Sequence, residues 1–138
     1  MYDILKAICE DEENQFEFMY ARKDFQNLFD GNEVEGQIYV FLDPVESDDN
    51  ENDTNIVESI TYSGDFMVVA SSKLDLDYQE RYDQHIKPII EGALKTIKSD
   101  IRCGNEVKFH QWRKVEIINA LDYNFDGIIV QYNIEVTV

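Results

Sequence analysis

The chain has 138 residues, with 12 Lys and Arg against 29 Asp and Glu, a formal net charge of −17. That surplus repels phosphate, so it excludes direct binding of nucleic acid or of an anionic membrane by a basic face. With 43% apolar and 12% aromatic residues the chain is too rich in core-formers to be a disordered acidic polymer, and a single domain over residues 1–138 with its own core is expected.

Ile4, Leu5 and Ile8 stand at helical spacing ahead of the acidic residues 10–13. A short amphipathic helix is expected there, ending near Glu10 because carboxylates oppose the macrodipole at a helix C-terminus. Phe16, Phe18 and Tyr20 alternate with their neighbours and predict a strand. Residues 37–42 (QIYVFL) are apolar on both faces and predict an interior strand covered on each side. After Pro44, residues 46–53 (ESDDNEND) contain no apolar side chain, and residues 46–55 are expected to form an acidic surface loop. Residues 56–63 and 65–72 are β-branched and aromatic runs broken at Gly64; two strands or one long bent strand fit equally well.

From residue 77 to 101 the period changes. Tyr78, Tyr82, Ile86, Ile89, Ile90, Ala93, Leu94, Ile97 and Ile101 recur at intervals of three and four, one apolar stripe on a long helix that Pro88 should kink or restart. In the last third, a type I′ turn at Asp126-Gly127 would pair residues whose numbers sum to 253, Phe125 with Ile128, Tyr123 with Val130, Leu121 with Tyr132, Ile117 with Val136 and Val115 with Val138. One face of that hairpin is apolar apart from Asn119 opposite Ile134; Gln131, Asn133, Glu135 and Thr137 line the other. A bulge near Gln111 reconciles the odd positions of Val107 and Phe109 with the even position of Trp112. The expected fold is α+β: an antiparallel sheet of about five or six strands, one long and one short helix packed on one face, and a C-terminal β-hairpin.

Little in the chain points to chemistry. Asp122, Asn124, Asp126 and Gly127 match the first half of a calcium-loop pattern, but position 12 of that loop is Asn133 instead of Glu and the flanks read as strands. The same residue types suit a hairpin turn, so a turn and no metal is expected. His85 and His110 lack a Cys or second His at ligand spacing and are expected at the surface or its boundary. Cys9 and Cys103 form neither a disulfide framework nor a zinc knuckle, and read as buried or idle thiols in a reducing compartment. There is no G-x-S-x-G, no phosphate-cradling Gly-rich loop and no H-E-x-x-H, so neither enzyme activity nor a cofactor is expected. No apolar run approaches a membrane span and the first residues lack the basic start of a signal peptide, which predicts a soluble intracellular product. An aromatic-rich acidic domain with open sheet edges and no active site is most simply part of an assembly.

The long helix 77–101 preceded by the strand 66–70, and the closing Trp112 and NALDYNFDGIIVQYNI of residues 119–134, resemble the bacteriophage tail-terminator and neck proteins, the small head-to-tail joining subunits. The resemblance spans residues 2–138 in element order and residues 108–138 in detail, and the acidic stretch 46–53 is not matched by it. It implies a structural virion protein: a ring of six or twelve copies in the neck or tail, assembled from the host cytoplasm, contacting neighbouring neck, portal or tail proteins. DNA would pass through the channel without specific binding, repelled by acidic walls, and no membrane would be involved. Ile38, Val40 and Phe41, Asp48 and Asp49, and Gln131, Asn133 and Glu135 are the expected interface residues, with Trp112 an anchor or core residue. The alternative is a small acidic DNA mimic that inhibits a nucleic-acid enzyme by presenting carboxylates where phosphates would lie.

Overall fold

Strand β4 (Val57–Ser71) is the axis about which the sheet is built. In the computed structural model, which describes residues 1–21, 36–71, 75–120 and 125–138, it is one 15-residue strand running straight through Gly64. Gly64 has φ 155°, and the Tyr132 hydroxyl lies 3.1 Å from where a Cβ would stand, so a side chain there would press on the tyrosine.

On one side β4 pairs along its length with β6 (Phe125–Thr137), and β6 pairs with β5 (Val107–Ala120). On the other side β3 (Glu46–Glu51) takes the first half of β4 and β2 (Ile38–Leu42) the second. Strand β1 (Glu17–Tyr20) lies parallel to β2, and all other pairs are antiparallel. The strand order is β1-β2-β4-β6-β5 with β3 beside β4. Two helices complete the expected α+β fold.

Helix α1 (Tyr2–Glu10) stops where the acidic run begins, as the dipole argument requires. The 27-residue helix α2 covers residues 78–104. Asp77 starts it with a capping box: the Glu80 amide donates to the Asp77 carboxylate (2.8 Å), and the Asp77 amide donates to the Glu80 carboxylate (3.1 Å). Pro88 does not break it. It sits between two π turns, Tyr82–Ile86 and Ile89–Ala93, in which the Lys87 amide reaches the Tyr82 carbonyl and the Leu94 amide the Ile89 carbonyl. These wider turns absorb the missing proline donor, and each adds a residue that rotates the helix phase. The buried stripe is consequently Ile86, Ile89, Leu94, Ile97 and Ile101, with a step of five at Leu94; Tyr78 and Tyr82, expected on it, are exposed.

Both helices cover one face of the sheet, where Leu5 and Cys9 and the α2 stripe meet Val40, Leu42, Phe66, Val68, Ile128, Val130 and Ile134. The opposite face carries a second buried cluster of Tyr39, Phe41, Met67, Val69 and Phe125. Strand β2 therefore contributes to both, as its two-sided apolar pattern predicts.

Two further expectations are corrected. The acidic stretch is not a loop: residues 46–51 form β3, zipped onto β4, and only the turn beyond it is irregular. Every β3 side chain is exposed, so the strand needs no apolar alternation; it is held by the backbone ladder and by Asn50, whose amide donates to Ser59 Oγ (3.0 Å) and Thr61 Oγ1 (2.9 Å). The turn is organised by Asn52, whose Oδ1 accepts from the amides of Thr54 and Ile56. The second correction concerns the C-terminal hairpin. Its existence and the bulge between Phe109 and Gln111 agree with the sequence, but Asp126 and Gly127 lie inside β6, opposite Ala70 and Val69 of β4. The observed pairs are Val115 with Ile129, Ile117 with Gly127 and Val107 with Val136. Residues 121–124 lie outside the described residues, and with them Asp122 and Asn124 of the calcium-like pattern and the pairs expected for Leu121 and Tyr123. Pairing with β4 over the whole of β6 outweighs the local turn preference of Asp-Gly. Gly127 is required for another reason: a Cβ there would run into the Val68 carbonyl oxygen.

Candidate functional site

Asp126 is fully buried in β6, where two basic side chains of α2 stand against it. Arg81, itself 2% exposed, brings Nη1 to 3.7 Å from Asp126 Oδ1, and His85 Nδ1 lies 3.2 Å from Oδ2. Arg81 Nε donates to the Leu76 carbonyl at 3.2 Å. One helical turn separates Arg81 from His85, so α2 presents both to the same strand residue. His85 then borders a cleft of about 850 Å³ whose walls include Asn14, Phe16, Ile38, Leu76 and Ile89. A carboxylate that fixes an imidazole at the rim of a cleft can orient a proton transfer. Its carboxylate is also shared with a buried guanidinium, and that is how a charge is made tolerable in a core and a helix pinned to a sheet. By sequence Asp126 reads only as a turn or calcium residue; a lone acid in the apolar run FDGIIV is the available signal.

On the open face of the sheet a polar network crosses three strands. Ser59 Oγ donates to Glu135 Oε1 at 2.6 Å, and His110 Nε2 lies 3.0 Å from Oε2. The Ser59 hydroxyl, then the His110 contact, hold the Glu135 carboxyl below the ordinary carboxylate range. Gln131, Asn133 and Glu135 do share this face, as expected, but they belong to a central strand and offer a surface instead of an edge. The side-chain oxygen of Asn133 and the Tyr132 hydroxyl are buried without a hydrogen-bond partner among the described residues, and burial pushes the Tyr132 hydroxyl up in pKa, with Asp65 and Asp43 adding.

The remaining interface candidates separate sharply. Val40 and Phe41 are 0% and 1% exposed in this chain's own core, and β2 is paired on both sides, so neither is available to a partner; Ile38 is half-buried at the cleft. Asp48 and Asp49 are exposed on β3. Trp112 is a core residue, half-buried, with its ring 5.6 Å from Phe66 and 5.3 Å from Phe109.

What the sequence missed is the distribution of charge between the sheet's edges. No Lys or Arg occurs between Asp43 and Asp65, and β3 presents Glu46, Asp48, Asp49 and Glu51 to solvent. At the far side β5 carries exposed Lys108, Arg113 and Lys114 against one exposed acid, Glu116. Behind β5 on α2, Lys98 Nζ stands 5.2 Å from the Phe109 ring centre and 5.4 Å from that of Trp112, and Arg102 stands 4.9 Å from Phe109. Partial burial, with Arg102 and Lys114 adding, lowers the Lys98 pKa. This edge is basic in a strongly acidic protein.

Among the described residues no group of three or more His, Cys, Asp or Glu is arranged to hold a metal ion, and no described helix is long and apolar enough to cross a membrane. The chain matches no protein-family model and no curated protein.

Proposed function

We propose that this chain is a structural subunit that works by packing against identical copies, and that its assembly is a ring in the neck or tail of a tailed bacteriophage, between portal complex and tail, with DNA passing through the channel. One observation carries the assembly: β5, 14 residues long, is paired along one side only among the described residues, and its side chains from Arg113 to Glu116 are exposed. A long open edge is a template for another strand. The placement in a neck rests on the order of short helix, strands, long helix and hairpin that the chain shares with such proteins by resemblance. The charge of −17 is consistent with it, because DNA slides past an acidic wall instead of adhering. Such a subunit makes and breaks no covalent bond; shape, edge and charge suffice.

Sedimentation velocity and negative-stain imaging of the purified protein, alone and with neighbouring neck proteins, test this, and closed rings are the expected result. A strictly monomeric protein that binds a nuclease in a salt-dependent way overturns it. That outcome would favour an acidic DNA mimic, a reading that β3 itself supports, since carboxylates on each face of an extended strand repeat about every 6.7 Å.

A further inference from the structure

We propose that successive copies join by pairing β5 of one with β3 of the next, so that the sheet continues from copy to copy. This rests on the assembly reading above and names its interface. Direction is the first support. Across this end of the sheet the strands lie in the order β3, β4, β6, β5, each antiparallel to the next. Strands β3 and β5 therefore run in opposite directions, and a second copy set alongside in the same orientation brings β3 against β5 antiparallel, with the ladder's alternation unbroken.

Charge is the second support. Lysines on an edge and a bulge within it are devices that deter strand addition, and β5 has both. Their effect depends on the partner. Two β5 edges repel each other and so do two β3 edges, whereas β5 and β3 attract, so the pattern forbids a symmetric dimer and permits a head-to-tail contact. Asp48, Thr61, Glu135 and Lys108 lie in one row across the sheet, so a continuation in that register sets Lys108 of one copy against Asp48 of the next. Because β1 already lies beside β2, the pairing is confined to the first half of β5, up to about Gln111, and the copies diverge beyond it. Head-to-tail contacts close into rings when the rotation between copies closes.

The faces agree as well. Beside β3, on the helix-bearing side, Tyr2, Tyr20, Val45 and Tyr62 line a hollow of about 310 Å³, and Tyr2 and Tyr20 are partly exposed. Beside β5, on the same side, stand Phe109 and Trp112 with Lys98 and Arg102 over them. Continuation of the sheet sets the cations of one copy next to the tyrosines of its neighbour.

Two charge-reversed proteins test the pairing by sedimentation velocity, with circular dichroism as a check on folding. One carries Lys108→Glu, Arg113→Glu and Lys114→Glu; the other carries Glu46→Lys, Asp48→Lys, Asp49→Lys and Glu51→Lys. Each alone should self-associate about tenfold or more weakly than wild type. An equimolar mixture should recover wild-type association, because each variant's altered edge now complements the other's. If wild type assembles and either variant does so equally well, or the mixture stays dissociated, the β3–β5 pairing is wrong while the assembly reading stands. If wild type is monomeric at every concentration, both fall.

Discussion

A carboxylate with no solvent exposure persists at Asp126 because Arg81 and His85 stand against it. Removing one partner of a buried pair leaves an uncompensated charge, which costs about 3–5 kcal/mol. Asp126→Ala should therefore lose stability of that order in urea unfolding, while Asp126→Leu combined with Arg81→Met should recover most of it; equal losses in the two would show that the charges are not coupled. The neighbouring Gly127→Ala should cost about 2–3 kcal/mol by overpacking, since the added methyl meets the Val68 carbonyl. The thiols differ just as clearly. Burial, with Glu10 adding, pushes Cys9 up to about 12, whereas Cys103 is exposed. Iodoacetamide should alkylate Cys103 in the native protein and Cys9 only on unfolding, as intact-mass spectrometry would show; native labelling of Cys9 would contradict its place in the core. Glu135 makes stability depend on pH. Its folded pKa lies below the ordinary value, so its contribution is full above the ordinary carboxylate range and is lost as pH falls through the lowered value. The melting-temperature advantage of wild type over Glu135→Gln should accordingly shrink between about pH 5 and pH 3; an advantage constant across that interval would rule the effect out.

Among the elements, β3 depends most on its surroundings. Its residues ESDDNE have poor strand propensity and no buried side chain, so the β4 ladder and Asn50 hold it in place. Its amides should exchange with solvent at least about a hundredfold faster than those of Val68 or Val130 at the sheet centre, with hydrogen exchange by NMR as the measurement. Comparable protection in β3 of the isolated monomer would mean that it is covered by something other than β4. This explains why the stretch resists reading from sequence, as its apolar content is zero and only tertiary pairing reveals the strand. The QIYVFL strand, the first helix and the bulge at His110 are legible because burial and periodicity mark them directly. The hairpin was legible as a hairpin but not in register, because Asp126-Gly127 carries the residue types of a turn while the 13 residues of β6 find partners along β4. In α2 the apolar stripe announces the helix, but the π turns beside Pro88 shift its phase in a way that intervals of three and four do not express. The Arg81–Asp126–His85 contact joins residues 41 and more positions apart, and no local pattern encodes it.

At the scale of the whole molecule the charge acts in two ways that ionic strength can separate. Each copy carries −17, so two copies repel at long range, yet the edges proposed to meet are oppositely charged. The repulsion acts across tens of ångströms, and it is felt when the screening length is about 30 Å, at 0.01 M salt. At about 0.15 M that length falls to about 8 Å, which suppresses the repulsion between distant charges more than it weakens pairs in contact. At 1 M it is about 3 Å, and the contact pairs are weakened in turn. Self-association should therefore be strongest at intermediate salt and weaker at both extremes, as measured by sedimentation equilibrium across that series. A contact made by apolar surface alone would strengthen steadily with salt, because only the repulsion would be removed. Binding of this acidic chain to a basic enzyme would weaken steadily, because attraction would be screened at every distance. A maximum at intermediate salt requires both repulsion between the bodies and attraction between the edges, so a monotonic curve of either sign would count against complementary edges as the basis of assembly.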